Sequence, residues 1–220
     1  MNEKISRALA RLNQILPLAS RQRTLDPETM QMHQTILRSY AETGAAPSTG
    51  ELATITHDAA NMLSRLQQLD LIVLDEKAEI LGAYPFTSEI RIHRVDINNH
   101  SVHCMCALDA LAISPMFDCA TQIHSQCALT SEPISIQQNG LAVLNHPHNT
   151  ELFLAIDWAA VSNTTCCANS LCKQMNFISG TERAHEWQQQ SDQHELFTLA
   201  EAIVFAAEFF KPLLPRVQAA

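Results

Sequence analysis

Apolar residues recur at helical spacing through the first third of the chain and then change period. Ile5, Leu9, Leu12, Ile15 and Leu16 mark one face of a first helix. Asp26-Pro27-Glu28 is a helix start, with Asp as N-cap and Pro at the first helical position. Met30, His33, Ile36, Leu37 and Tyr40 carry that helix forward until Gly44 closes it. Ser48 to Ile55 reads as a short helix, and Thr56-His57-Asp58 caps another that bears Ala59, Met62, Leu63, Leu66 and Leu69. Leu71 to Leu74, a charged turn at Asp75-Glu76-Lys77, and Ala78 to Leu81 then form a hairpin. Helices followed by a two-stranded wing is winged-helix order.

Gly82-Ala83-Tyr84-Pro85-Phe86 marks a boundary, giving two units, residues 1–81 and 82–220. Beyond it the alternation of Ile90, Ile92 and Val95 with charged residues predicts a strand over Glu89 to Val95. Asn98-Asn99-His100 is a turn, and Ser101 to Met105 is the returning partner. Ala107 to Ile113 is read as a helix. Thr121 to Gln126, Ile134 to Gln137, Leu141 to Leu144 and Met175 to Ile178 are short strands, while Ala184 to Gln189 and Glu195 to Phe210 are helices. The class is α+β: a winged-helix-like helical unit, then a core with a mixed or antiparallel sheet and flanking helices.

Composition narrows the function. Hydrophobic residues make up 46% of the chain and charged ones 17%, which supports a packed core and excludes a disordered chain. A net charge of -9 argues against a large nucleic-acid footprint, leaving room only for a local basic face. The helix before the wing offers only Arg65, so residues 1–81 read as a scaffold rather than a DNA-binding module. The chain has no run of 18 apolar residues, and the charged opening Met1 to Arg7 does not resemble a secretory signal. The expected compartment is the cytoplasm, where the seven cysteines are free thiols.

Those cysteines are unevenly placed, none occurring before Cys104 and all falling between 104 and 172. Cys106 and Asp109 stand three apart at a predicted helix start, which puts thiol and carboxylate on one face. There the unpaired backbone N–H groups and the positive end of the dipole would lower the Cys106 pKa, making a better nucleophile and metal ligand. A buried structural cysteine followed by an ordinary helix-start aspartate fits the same spacing.

A second cluster spans Thr164-Thr165-Cys166-Cys167-Ala168-Asn169-Ser170-Leu171-Cys172-Lys173. Its polar neighbours suggest a loop or a strand edge, and the Lys173 ammonium would favour a Cys172 thiolate. Structural zinc prefers Cys-x2-Cys or His-x3-5-His pairs, which this chain lacks. A Cys–His nucleophile pair with His103 or His124 has no local signature. Cys119 and Cys127 read as structural, and Trp158 and Trp187 as packing residues.

Cys106-Ala107-Leu108-Asp109-Ala110-Leu111 resembles the Cys-Ala-Leu-Asp-Thr-Leu motif of the alkylmercury (organomercurial) lyases. His124-Ser125-Gln126-Cys127-Ala128 with Pro133-Ile134-Ser135 resembles that family's Ser-His-Cys-Ala segment and the strand beyond it. Ser170-Leu171-Cys172 followed by Phe177 is similar to the segment bearing its second essential cysteine. The stretch around Trp187 and Glu201 to Phe210 fits as well, so the resemblance runs over about residues 82 to 210. Two departures stand out. Met105 occupies a position that is often Trp, and Lys173-Gln174 replaces the Cys-His found in several members.

The resemblance implies protonolysis of a carbon–mercury bond, giving a hydrocarbon and Hg(II). Cys106 and Cys172 would bind mercury as thiolates, with Cys166 or Cys167 as the alternative second thiol, and Asp109 would manage the proton and stand with the cysteines in the metal site. No resident cofactor is implied. External small thiols would remove the bound Hg(II), and a mercuric reductase is the expected recipient. The competing readings are a thiol-based carrier or trap for a soft metal, which needs the cysteines but not Asp109, and a metal-sensing regulator with its N-terminal unit on DNA.

Overall fold

The computed structural model describes residues 2–145, 151–162 and 166–214. Local capping chemistry accounts for most of the N-terminal helices. Helix α1 (Glu3–Ile15) starts at Asn2, whose side chain accepts the Ile5 N–H. A short α2 (Leu18–Gln22) follows. In α3 (Pro27–Thr43) the Asp26 carboxylate accepts the Thr29 N–H, and Gly44 ends the helix at φ +83°, a left-handed conformation suited to glycine. Helix α4 (Thr49–Ile55) opens with a reciprocal Ser48/Glu51 capping box. Asp58 occupies the N-cap of α5 (Ala59–Gln68), where its carboxylate accepts from the Asn61 side-chain amide rather than from a backbone N–H.

The hairpin that follows, β1 (Ile72–Leu74) and β2 (Ile80–Ala83), does not stand apart from the rest. β2 pairs with β3 (Phe86–Thr87) through Gly82↔Thr87 and Ala83↔Phe86, carrying one sheet across the 81/82 boundary. Next come β4 (Arg94–Ile97), β5 (His100–Cys104), α6 (Ala107–Phe117), β6 (Ala120–Gln126), β7 (Pro133–Asn139) and β8 (Ala142–Asn145). The sheet has eight strands in the order β1-β2-β3-β5-β4-β6-β7-β8, with antiparallel ladders throughout. A second sheet places β9 (Leu152–Asp157) between β10 (Met175–Ser179) and β11 (His194–Thr198), again antiparallel. Helix α7 (Thr181–Gln188) links β10 to β11, and α8 (Leu199–Phe210) follows β11 directly. An isolated parallel bridge, Cys127 to Phe177, joins the two sheets.

Two sequence expectations change. The strand expected over Glu89 to Val95 is confined to Arg94–Ile97, and residues 88–93 are irregular. Ile90 and Ile92 are exposed. There the side chain of His103 takes the place of a ladder partner: its Nδ1 lies 3.2 Å from the Arg91 nitrogen and 2.8 Å from the Arg91 oxygen. The helix expected over Glu195 to Phe210 begins four residues later. His194–Thr198 is instead drawn into pairing with β9, whose first five residues are all buried. A second capping box, Thr198 with Glu201, then starts α8.

Helix α6 is buried all round, Ala107 through Met116, as expected of a helix that is apolar on every face. It packs against α8, β5, β6, β7 and β10 at the centre of the molecule. Helix α1 covers α8 and is tied to it by a Lys4–Glu201 ion pair of 3.1 Å. One hydrophobic cluster runs from Ile5 to Leu214 and includes side chains from both sides of residue 81. Among the described residues, no helix is long and apolar enough to cross a membrane.

Candidate active site

The site forms where β5 ends and α6 begins. Cys106 is the N-cap of α6 in extended conformation (φ -156°, ψ 178°), and its sulfur accepts the Asp109 N–H at 3.4 Å. The Cys106 thiol and N–H both face the Asp109 carboxylate in return. Cys106 thus acts as an N-cap with sulfur in place of a hydroxyl, its acceptor reaching the N–H three residues on, which is the physical reason for a spacing of three.

Cys172 comes from a different part of the chain, the 3-10 turn Leu171–Gln174 leading into β10. One ligand atom each from Cys106, Asp109 and Cys172 lies within 4.8 Å of the others, and all three residues are buried. No other group of three or more metal-ligating side chains occurs among the described residues. A zinc–thiolate bond runs about 2.3 Å, so two sulfurs flanking one ion stand up to about 4.6 Å apart. The spacing therefore suits a single ion, and two sulfurs select a soft one. Two more sulfurs adjoin the group. Met175 Sδ is 3.8 Å from Cys106 Sγ, and Cys167 Sγ is 3.6 Å from Cys172 Sγ.

Burial governs the protonation of this centre. The Asp109 carboxyl is pushed up to about 7, because desolvation outweighs the Cys106 bonds and the Arg91 guanidinium that favour its charge. Its Oδ2 has no hydrogen-bond partner. Cys106 is pushed up to about 12, chiefly by burial, with a bond from the Cys172 thiol acting in the opposite direction. Cys172 is raised well above the usual thiol range, first by its contacts with Cys106 and Cys167 and then by burial. Two expectations are thereby corrected. The helix start does not lower the Cys106 pKa, and Lys173 does not make Cys172 a ready thiolate; in each case loss of water or crowding by sulfur is the larger effect.

The second cluster is also not a surface loop throughout. Cys167 and Cys172 are buried, while Cys166 is half-buried. Thr164 and Thr165 lie outside the described residues. All seven cysteines are free thiols. His124 pairs with Asp96 at 2.8 Å and His103 with the Arg91 backbone, so neither is committed to a thiol. Met175 and Tyr84 were not singled out as site residues by sequence, and Cys167 only as an alternative to Cys172. Met175 and Cys167 reach it through tertiary packing that no local spacing signals. The Tyr84 Oη accepts the Ala168 N–H at 2.9 Å and donates to Asp70 at 3.2 Å, beneath the cysteine turns.

Fold and site together define an α+β protein with a buried group of two thiols and one carboxyl at metal-ligand spacing. A family model for MerB, alkylmercury lyase, matches residues 86–211, more than half of the chain. The protein belongs to the alkylmercury lyase family, a family of enzymes. Curated relatives agree. Alkylmercury lyases of Bacillus cereus and Clostridium butyricum are each 22% identical over 152 residues, covering 69% of this chain and 66% of theirs. That of Staphylococcus epidermidis is 20% identical over 167 residues, 76% of each chain. The chain thus spans just under two thirds of the first two relatives. A crystal structure titled as the mercury-bound form of MerB2 shares the fold, with a TM-score of 0.71 and 22% identity over 97% of this chain and 100% of that one.

Proposed function

We propose that this protein cleaves the carbon–mercury bond of small organomercurials by protonolysis, with Cys106 and Cys172 as mercury ligands and Asp109 as the proton carrier. The observation that carries the reading is the convergence of two thiols and one carboxyl within 4.8 Å in a buried group.

The chemistry follows from softness and burial. The substrate arrives as an organomercury thiolate. Cys106 forms a mercury–sulfur bond, and its proton passes to Asp109 while the incoming thiolate departs with a proton from solvent. Cys172 adds next, and its proton goes to solvent. The second sulfur raises the electron density on the metal and weakens the mercury–carbon bond. Asp109, held near neutrality, then delivers its proton to the leaving carbon as general acid. In sum, two thiol protons are consumed: one ends on the hydrocarbon and one on the released thiol. Hg(II) remains on two sulfurs. A thiol whose pKa is high in water-free surroundings is no obstacle, since mercury itself displaces the proton.

The remaining parts of the reading follow. No resident cofactor is required, and external small thiols strip the product, with a mercuric reductase as recipient in the cytoplasm. The helices α3, α4 and α5 with the β1-β2 hairpin are read as a winged-helix-like unit over residues 1–81. Its role is to brace the core of 82–220 rather than to bind DNA. The continuous sheet and shared core support that assignment. Hydrocarbon release from a phenylmercury salt in excess thiol tests the proposal; mercury binding without release would leave a soft-metal trap instead.

A further inference from the structure

A third thiol borders this centre. Cys167 Sγ stands 3.6 Å from Cys172 Sγ, at the border of the Cys106, Asp109 and Cys172 group but outside its mutual 4.8 Å spacing. Cys106, Cys172 and Cys167 are 1%, 4% and 6% exposed, so all three face the interior. Neighbouring Cys166 is half-buried and is engaged by the Asn169 side chain at 3.5 Å.

The turn that carries Cys167 is held by a chain of polar contacts. The Cys167 N–H faces the Asp70 carboxylate and favours its charged form. The adjoining Ala168 N–H donates to Tyr84 Oη at 2.9 Å, and that hydroxyl donates to Asp70 at 3.2 Å. Arg21, from α2, completes the chain with an ion pair to Asp70 at 3.5 Å. Partners that fix a ligand's position in this way are what a metal centre requires beyond its ligands.

We propose that Cys167 is a third sulfur ligand for the mercury product, so that Hg(II) comes to rest on Cys106, Cys172 and Cys167 together. This deepens the lyase reading and rests on Cys106 and Cys172 as mercury ligands. The step is a ligand addition without redox change. The Cys167 S–H bond breaks, its proton is released to solvent, and a third mercury–sulfur bond forms while the first two persist. The neutral two-sulfur complex becomes a three-sulfur complex with one negative charge. Its consequence is retention: product is held against competing monothiols until a better acceptor arrives.

The test uses the full chain and Hg(II) chloride alone, one equivalent. X-ray absorption at the mercury edge counts the sulfurs, and the ultraviolet sulfur-to-mercury charge-transfer band reports the same change. Three sulfurs are expected in the native protein and two in both Cys167→Ser and Cys167→Ala. The N-acetylcysteine concentration that removes half of the metal should fall by about tenfold or more in both variants. A native centre with two sulfurs overturns the proposal without reference to any variant, and so does a variant that keeps three. Hydrocarbon release from phenylmercury, measured on the same native preparation, separates the two claims. No release with a Cys167-dependent three-sulfur spectrum refutes the lyase and keeps the third ligand. Release with a two-sulfur product keeps the lyase and refutes the third ligand.

Discussion

Replacing Asp109 with Asn should stabilise the metal-free protein at alkaline pH while removing its proton carrier. Asp109 is 2% exposed, and burial pushes its carboxyl from 3.8 up to about 7. The sign is set by proton counting. Between those two values the folded state holds a proton that the unfolded chain has lost, so stability falls as pH rises, and the loss is complete above the folded pKa. At 1.36 kcal/mol per pKa unit, the burden is about 1.5 kcal/mol at about pH 5 and about 4 kcal/mol at about pH 8. Asn at this position carries no such burden. Any fixed cost of its unpartnered amide is the same at both pH values and cancels in the difference. Urea unfolding of native and Asp109→Asn proteins at the two pH values should therefore show the variant gaining about 2 to 3 kcal/mol between them. Equal pH dependence in the two proteins would refute the claim that burial raises the Asp109 carboxyl to about 7. In the same variant, loss of a general acid should lower hydrocarbon release by about 10²- to 10⁴-fold.

Two further outcomes test the architecture around the site. Tyr84→Phe removes the acceptor of the Ala168 N–H and the donor to Asp70, and should cost about 1–3 kcal/mol in denaturant unfolding. Gly82→Ala places a Cβ 2.6 Å from Met105 Cε and 2.9 Å from the Phe86 carbonyl oxygen. Because the oxygen belongs to the paired strand β3, the clash should cost about 1–3 kcal/mol and lower Tm by several degrees in a thermal scan.

The parts of this molecule that could be read from sequence are those fixed by neighbours in the chain. Asp26-Pro27 and Gly44 bound α3 where expected, because caps act within a few residues. Cys106 and Asp109 were legible for the same reason, as three residues and one turn set their contact. The buried strand β9 was missed: Leu152 to Ile156 is apolar without alternation, a pattern that does not distinguish strand from loop or helix. β11 was absorbed into a helix because its pairing with β9 is a tertiary event. The direction of the thiol pKa shifts was misjudged, since the favourable helix start is visible in sequence but the depth of burial is not. Cys172, and Cys167 as its alternative, could be placed only through resemblance, and the approach of Met175 by neither route.

The central claim is tested most directly by hydrocarbon release from a methyl- or phenylmercury salt with excess small thiol, comparing the native chain with Asp109→Ala and Cys172→Ser. The account predicts methane or benzene from the native protein and its loss in both variants. Tight mercury binding by the native protein with no hydrocarbon released, or undiminished release after either substitution, would contradict it.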